Sequence, residues 1–498
     1  MPLIPKLRSS HHILVLFLAV WCVAFIYFEH VVPRSTANRC SWTGMVPTTS
    51  YINTNIRATA ANKKSLRTAD RRLGTQTNVL LVADPQLIDN HTYPGRNNLL
   101  LKLSKHTVDV YLKQNYKALV NSLHPDYIIF LGDYLDNGRL LQDAYYEKEF
   151  ARFESIFNRW PKKYVRGLNF FTNLPGNHDV GFGDGVKPLL QKRFLNHFGQ
   201  PNVIHSINGV EFVLLDTPSL LSGNSDISAD SSRFLLLIPP PKVPRVLLSH
   251  VPLRRDVEKH PCGPLRESKN FYQNAGYQYQ LALSQEVTDE LLQKVQPSLI
   301  FSGDDHDYCD VVHPGNAREV TVKSISMAMG IKYPAVQLLS YSFVPQFQYE
   351  THICYLPVPY VDVYVYVLMA VANGLILLAW SIKQRSSRYN YSILPSWDEN
   401  TSAILMDSPP AMSQKVSNFL KEQDDAAHST SHSAPVVSLS NYTFTSVSSS
   451  DKAWKEINRA KRIVRRFSKK WNLATFFKHS AVLAGLVITL YNIIVWTV

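Results

Sequence analysis

Acids, amides and imidazoles recur in five short clusters through the middle of this 498-residue chain: Asp84-Pro85-Gln86, Gly132-Asp133-Tyr134-Leu135-Asp136, Gly176-Asn177-His178-Asp179, Ser249-His250-Val251-Pro252 and Gly303-Asp304-Asp305-His306. These residue types can hold a pair of divalent cations, and two cations about 3.5–4 Å apart can clamp and hydrolyse a phosphoester. Such a pair needs one carboxylate to bridge it, and Asp133, at the head of its cluster, is the natural bridge. Imidazole from His250 and His306 and amide oxygen from Asn177 suit borderline ions such as Mn, Fe or Zn, whereas an all-oxygen cage would point to Mg or Ca. One cluster alone carries little, since a Gly-Asp-x-x-Asp is commonly a turn. Five in this order read as a two-metal hydrolase.

The clusters share a position. Each follows a short apolar run: Val79–Val82, Tyr127–Leu131, Phe170–Leu174, Arg245–Leu248 and Leu299–Phe301. Length, branching and the Gly or Pro that follows make these runs buried strands. Every cluster then sits at the C-terminal end of a strand, the rim where α/β sheets place their sites, and residues more than 200 positions apart can converge there.

With these motifs the chain resembles the calcineurin-like metallophosphoesterase superfamily, whose pattern is D-x-H, G-D-x-x-D, G-N-H-[DE], an isolated His, then G-H-x-H. It is more closely similar to the membrane-bound branch that removes ethanolamine phosphate from mannose of GPI anchors. The longer strings from Ala83 to Arg96, Cys262 to Glu267, Ser302 to Cys309 and Glu319 to Ser324 carry that closer likeness, within residues 75 to 380. The resemblance implies an α/β metallophosphoesterase sandwich, two mixed β-sheets flanked by helices, with N- and C-terminal transmembrane helices. It implies a first metal on Asp84, Asp133 and His306, and a second on Asp133, Asn177, His250 and Asp304. Two positions depart from the pattern: Gln86 stands where the first motif has His, and Asp304 where the last has its first His. An amide is the weaker ligand, and the added carboxylate tilts the pair of divalent ions towards Mn, ahead of Zn or Fe. His178 is implied to be held by Asp136 and to give a proton to the departing alkoxide after in-line attack by a metal-bridging hydroxide. Tyr93 and Arg96 could meet the substrate or close the loop that carries them.

The charge belongs to the ends of the chain. The net charge is +13, yet residues 1–82 hold ten Lys and Arg against two acids and residues 383–498 hold fifteen against eight, leaving the middle close to neutral. A near-neutral catalytic segment without a basic stripe excludes nucleic acid as partner. The basic ends flank apolar stretches, which divides the chain into a cytosolic tail (1–12), a transmembrane anchor (13–32), a luminal linker (33–74), the metallophosphoesterase domain (75–356), a second transmembrane helix (361–382), a disordered basic cytosolic loop (383–470) and a third transmembrane helix (481–498). Lys6, Arg8, Lys383, Arg385 and Arg388 set that orientation, and the Trp454–Trp471 segment is expected to lie on an anionic leaflet. The implied protein is multi-pass in the endoplasmic reticulum or Golgi membrane, with a luminal site and a GPI glycolipid or GPI-anchored protein as partner.

Four cysteines fall in the luminal part, Cys40, Cys262, Cys309 and Cys354, and allow three connectivities, among them Cys262–Cys309 with Cys40–Cys354. Asp216 is expected to be a structural acid, and Arg266, Glu267 and Glu319 to fix loops over the site. Two other readings use the same scaffold. A phosphoprotein or nucleotide phosphatase would want a basic groove, and a non-catalytic cargo receptor need not keep two stoichiometric cations.

Overall fold

The computed structural model describes residues 10–44, 76–158, 163–276, 279–343, 346–389, 458–459 and 473–497. The chain divides into two compact units, Met1–Met369 with Gly485–Val498, and Ala370–Ala484.

The first unit is built on β1 (Thr77–Val82), β2 (Tyr127–Phe130), β3 (Phe170–Phe171), β4 (Val203–Ile207), β5 (Val210–Leu215), β6 (Arg245–Ser249), a small hairpin β7 (Ala275–Gly276) and β8 (Tyr279–Gln280), then β9 (Leu299–Ser302), β10 (Cys309–Val312), β11 (Arg318–Thr321), β12 (Ala335–Ser342) and β13 (Gln348–Tyr355). One sheet runs β13-β12-β1-β2-β3, with β1, β2 and β3 parallel and β12 and β13 antiparallel. The other runs β10-β11-β9-β6-β5-β4, parallel from β11 to β5 and antiparallel at both edges. This is the expected α/β sandwich of two mixed sheets.

Side-chain alternation explains why the strands read as unbroken apolar runs. Val79 and Leu81, Ile129, Phe212, Leu248, Leu299 and Phe301 fill the layer between the sheets. Leu80, Val82, Ile128 and Phe130 point the other way, against Leu112, Tyr116, Leu119 and Val120 of the Asn98–Leu123 helix. Val213, Leu215, Leu247 and Ile300 cover the far face of the second sheet with Leu291 of the Gln285–Val295 helix. Strands buried on both faces lose the polar alternation of a half-exposed sheet.

Strand β3 is shorter than the apolar run Phe170–Leu174 suggests. Beyond Phe171 the chain is held by side chains instead of a ladder: Thr172 Oγ1 donates to Phe198 O (3.2 Å) and Asn173 Nδ2 to Gln200 O (2.7 Å). Two disulfides form, Cys40–Cys354 and Cys262–Cys309, and select one of the three connectivities. The first ties the end of the N-terminal apolar helix to β13, and the second ties the Cys262 loop to the start of β10.

Among the described residues three helices are long and apolar enough to cross a membrane, His11–Ala37, Val361–Ile382 and Leu473–Val495. The first runs past the expected end at 32: a π-turn at Tyr27–Val31 passes without a break into Val32–Ala37, which carries Pro33. The third begins eight residues before the expected 481, Leu473, Phe476 and Phe477 extending the apolar stretch past Lys478. The helix starting at Val361 continues to Tyr389, into the segment expected to be a loop. In the second unit the Trp380 and His479 rings meet edge to face at 5.3 Å. Lys6 and Arg8, most of the 383–470 segment and the basic stretch 460–471 lie outside the described residues.

Glu319 on β11 pins the rim of the second sheet. Its wholly buried carboxylate accepts from Ser302 Oγ (2.7 Å) and the Leu253 amide (3.2 Å), pairs with Arg255 Nη2 (2.6 Å), and meets His313 Nε2 (2.6 Å). Burial would raise its pKa, but Arg255 and His313 hold it below the usual glutamate value. Glu319→Ala leaves the Arg255 guanidinium buried and uncompensated, and should cost about 3–5 kcal/mol. A lowered unfolding midpoint of the detergent-solubilised chain checks this; an unchanged midpoint would remove Glu319 from the residues that hold the rim.

Candidate metal centre

The five clusters meet where the C-terminal ends of β1, β2, β3, β6 and β9 converge. Asp84 and Gln86 follow β1, Asp133 follows β2, Asn177 opens a short helix (Asn177–Val180) after β3, His250 follows β6, and Asp304 and His306 follow β9. Ligand atoms of Asp84, Asp133 and His250 all lie within 4.8 Å of one another, each residue buried. Asp304 joins them through its amide, which donates to Asp84 Oδ1 (3.1 Å), and through its carboxylate, 3.6 Å from His250 Nε2.

The backbone is bent to bring them there. Asp84, Gln86, Asp133, Asp304 and His306 all have left-handed φ, between 32° and 65°. For residues with a Cβ this conformation costs of order 1–3 kcal/mol each and persists only where the surroundings impose it. Glycines admit the close approaches: a Cβ on Gly132 would stand 2.6 Å from His250 Nδ1, and one on Gly176 would run into Asp133 Oδ1.

Hydrogen bonds then aim the donors. His250 Nδ1 donates to Leu131 O (2.7 Å), and a carbonyl can only accept, so Nδ1 carries a proton and Nε2 is the ring atom turned to Asp133 Oδ1 (3.4 Å). Gln86 Nε2 donates to Asp133 Oδ2 (2.8 Å) and the His178 amide to Asp133 Oδ1 (2.9 Å). Gln86 is therefore the residue that orients the Asp133 carboxylate, a finding its place in the first motif did not foretell.

Asp179 is the residue the sequence reading left without a role. Its carboxylate accepts from the amides of Asp133 (2.9 Å), Tyr134 (3.0 Å), Leu135 (3.4 Å) and Gly176 (2.9 Å), stitching the second cluster to the third. Burial, then Asp133, pushes its pKa up against the pull of those amides. The signal was present: it is the last acid of the Gly176-Asn177-His178-Asp179 string.

His178 and Asp136 do come together, with a correction to how. His178 Nδ1 hydrogen-bonds the Asp136 main-chain carbonyl, and the carboxylate stands off at 3.6 Å. That carboxylate is engaged by Thr92 Oγ1 (2.6 Å) and Asn137 Nδ2 (3.0 Å), which fasten the first metal loop to the second. Tyr93 and Arg96 are spent on one another, the guanidinium lying 3.7 Å over the ring while Nη1 donates to Ser104 Oγ (3.0 Å). Asp216 caps the Thr217–Leu220 helix through the Ser219 amide (2.9 Å), and burial lifts its pKa to about 6. Arg266 pairs with Asp305, and Glu267 with the buried Lys323 (2.6 Å).

The donors fit divalent cations. Asp84 Oδ2, Asp304 Oδ2 and His250 Nε2 are buried and make no hydrogen bond, which in a packed interior is costly unless something positive meets them. Burial pushes the Asp84 carboxyl up, His250 pulls it back, and Asp133 pushes again, leaving it well above the usual range. At Asp133 burial acts the same way but His250 and His178 outweigh it, and its pKa is lowered. Two carboxylates shifted apart with an imidazole between them are what a cation would relieve.

The family described as Calcineurin-like phosphoesterase matches residues 77–308. Cell division control protein 1 of Saccharomyces cerevisiae is 36% identical over 371 residues, covering 70% of each chain. Metallophosphoesterase 1 of Mus musculus is 28% identical over 240 residues, 43% of this chain and 58% of that protein. The Metallophosphoesterase 1 homolog of Drosophila melanogaster is 24% identical over 330 residues, 62% of this chain and 78% of that protein. The chain belongs to the calcineurin-like phosphoesterase family. It is a phosphoester hydrolase served by divalent metal.

Asp179→Asn turns an amide nitrogen towards amides it now accepts from. Metal affinity should fall about 10- to 100-fold, with most of it restored by Asp179→Glu. Metal titration followed by calorimetry reads both; full affinity in the Asn variant would deny Asp179 its positioning role.

Proposed function

We propose that this chain is a phosphodiesterase that removes ethanolamine phosphate from a mannose of GPI glycans on the luminal face of the endoplasmic reticulum or Golgi membrane. The observation that carries the reading is a phosphoesterase site in a domain that also holds two disulfides and is continuous with candidate membrane spans. Disulfides persist in oxidising compartments, which include the secretory lumen, and the glycan of a GPI anchor is displayed on that side of a membrane. The strings from Ala83 to Arg96 and Cys262 to Glu267 add the resemblance to the GPI-directed branch.

Asp84, Asp133 and His306 would hold one cation, and Asp133, Asn177, His250 and Asp304 the other, with Gln86 steering the shared carboxylate. When bound, the cations supply Lewis acidity and an activated water. Three carboxylates and two imidazoles favour Mn, with Zn or Fe as substitutes. His178, its Nδ1–H committed to the Asp136 carbonyl, would give its second proton, on Nε2 of the imidazolium form, to the departing alkoxide.

Incubated with GPI glycans, the intact protein should release ethanolamine phosphate, read by mass spectrometry, and lose all activity on chelation or in Asp133→Asn. His178→Ala should keep its metals and slow by roughly 10²–10⁴-fold, much of it recovered with a leaving group that needs no proton. Release by the chelated protein would overturn the metal mechanism, and intact glycans in the presence of hydrolysis of other phosphodiesters would overturn the substrate.

The proposed orientation, with both flanks in the cytosol, is supported by Lys6 and Arg8 before the first span and Lys383, Arg385 and Arg388 after the second. In sealed microsomes, protease should cut within 390–457 and spare 76–343. Digestion of the catalytic segment in intact vesicles would reverse the orientation.

A further inference from the structure

The Asn98–Leu123 helix begins immediately after the first metal loop, with Asn97 Oδ1 capping the Leu99 amide (2.9 Å). Its first turns read Asn98-Leu99-Leu100-Leu101-Lys102-Leu103, and only Leu101 of the four leucines is buried in the domain. Leu99, Leu100 and Leu103 are 75%, 57% and 58% exposed. Three large aliphatic side chains on neighbouring turns make a contiguous apolar patch that a water-facing helix would avoid.

Contacts further along the helix show where that patch lies. Gln114 Nε2 donates to Val495 O (3.2 Å), at the end of the third candidate span, and Tyr111 OH donates to Pro357 O (2.7 Å), just before the second span starts at Val361. Two turns back, the His106 ring packs on Tyr491 at 5.6 Å. Moving from Gln114 to His106 thus means moving from Val495 to Tyr491, from the end of the span into it. Leu103 and Leu99 continue the same way, about 4.5 and about 10.5 Å beyond His106 along the helix at 1.5 Å per residue. On that course the patch lies on the inner side of Tyr491, away from the end of the span.

The surroundings have the composition of a membrane boundary. Lys102 is exposed beside the leucines, Arg96 lies over Tyr93, and the half-exposed Tyr360 directly precedes the second span.

We propose that the first two turns of the Asn98–Leu123 helix are a lipid-embedded foot: Leu99, Leu100 and Leu103 insert among the acyl chains of the bilayer that takes the apolar helices, and hold the metal centre at the membrane surface. The mechanical link is short. The loop before the helix is tied to the centre through Thr92 and Asp136, so the depth of the leucines sets the height of the site above the lipid. An active site so placed acts on phosphoesters carried by lipid-anchored molecules, which deepens the GPI reading and rests on it for the identity of the headgroup.

The test uses the full chain in phosphatidylcholine nanodiscs, with Cys22→Ser removing the free thiol. A bimane label on Leu100→Cys or Leu103→Cys should lose about half its fluorescence when the acyl chains are brominated and resist aqueous iodide, while a label on the exposed Lys259→Cys should do the opposite. Replacing Leu99, Leu100 and Leu103 together by Ser should leave hydrolysis of a soluble nitrophenyl phosphodiester within about twofold and slow that of a vesicle-borne, lipid-linked phosphoester about tenfold. Iodide quenching of Leu100→Cys and Leu103→Cys overturns the foot, as does shielding from both quenchers, which would assign the leucines to a protein contact. Bromolipid quenching without release of ethanolamine phosphate from GPI glycans keeps the foot and overturns the headgroup.

Discussion

Two buried carboxylates that cannot both be satisfied by this polypeptide govern the rest of the structure. Asp84 and Asp133 sit with His250 inside a 4.8 Å cluster, walled off from water, and Asp304 adds a third acid to its edge. Like charges buried together are expensive, and removing water strengthens their repulsion as much as any attraction. A divalent cation turns the same arrangement into a favourable one. The left-handed residues, the glycines under His250 and Asp133 and the four amides on Asp179 all hold acids where they would not settle on their own. Bound metal would offset the strain that Asp84, Gln86, Asp133, Asp304 and His306 hold in the rim.

That constraint also explains what could be read from the sequence. The strands were legible because both sheets are covered on both faces, so β1, β2, β6 and β9 had to be unbroken apolar runs, and each ended where an acid, amide or imidazole had to appear. Both disulfides lay among the enumerated pairings, but choosing between them needed the β13 and β10 positions that only the fold supplies. What stayed hidden were roles set by direction instead of type. Nothing in Gln86 says that its nitrogen faces Asp133, and nothing in His178 and Asp136 says that the ring takes the carbonyl while Thr92 and Asn137 take the carboxylate. Asp179 was in view but without a role for the converse reason, since a motif names its residues without ranking a backbone-binding acid beside a metal-binding one. The apolar helices were legible as hydropathy, but their ends were not, because a helix can continue through Pro33 or take up Lys478 without leaving its pattern.

The first sheet connects the site to the apolar helices with little slack. Strand β1, whose end carries Asp84, pairs with β12, and β12 with β13. Strand β13 ends at Tyr355, close to Val361, where the second candidate span starts, while Cys354 on the same strand is bonded to Cys40 just past the first. Trp42 Nε1 donates to Leu123 O (2.6 Å), fastening the same exit to the far end of the Asn98–Leu123 helix. A tether of a dozen flexible residues would let a catalytic domain sample many heights over a bilayer, whereas a disulfide, a strand ladder and a helix-end hydrogen bond permit few. If the proposed GPI substrate is the right one, specificity for it need not come from a pocket that recognises lipid. On the proposed reading, a metal centre held at one height would meet only the phosphoesters that a headgroup of matching length presents there, and the selection would be made by geometry before any ligand bond forms.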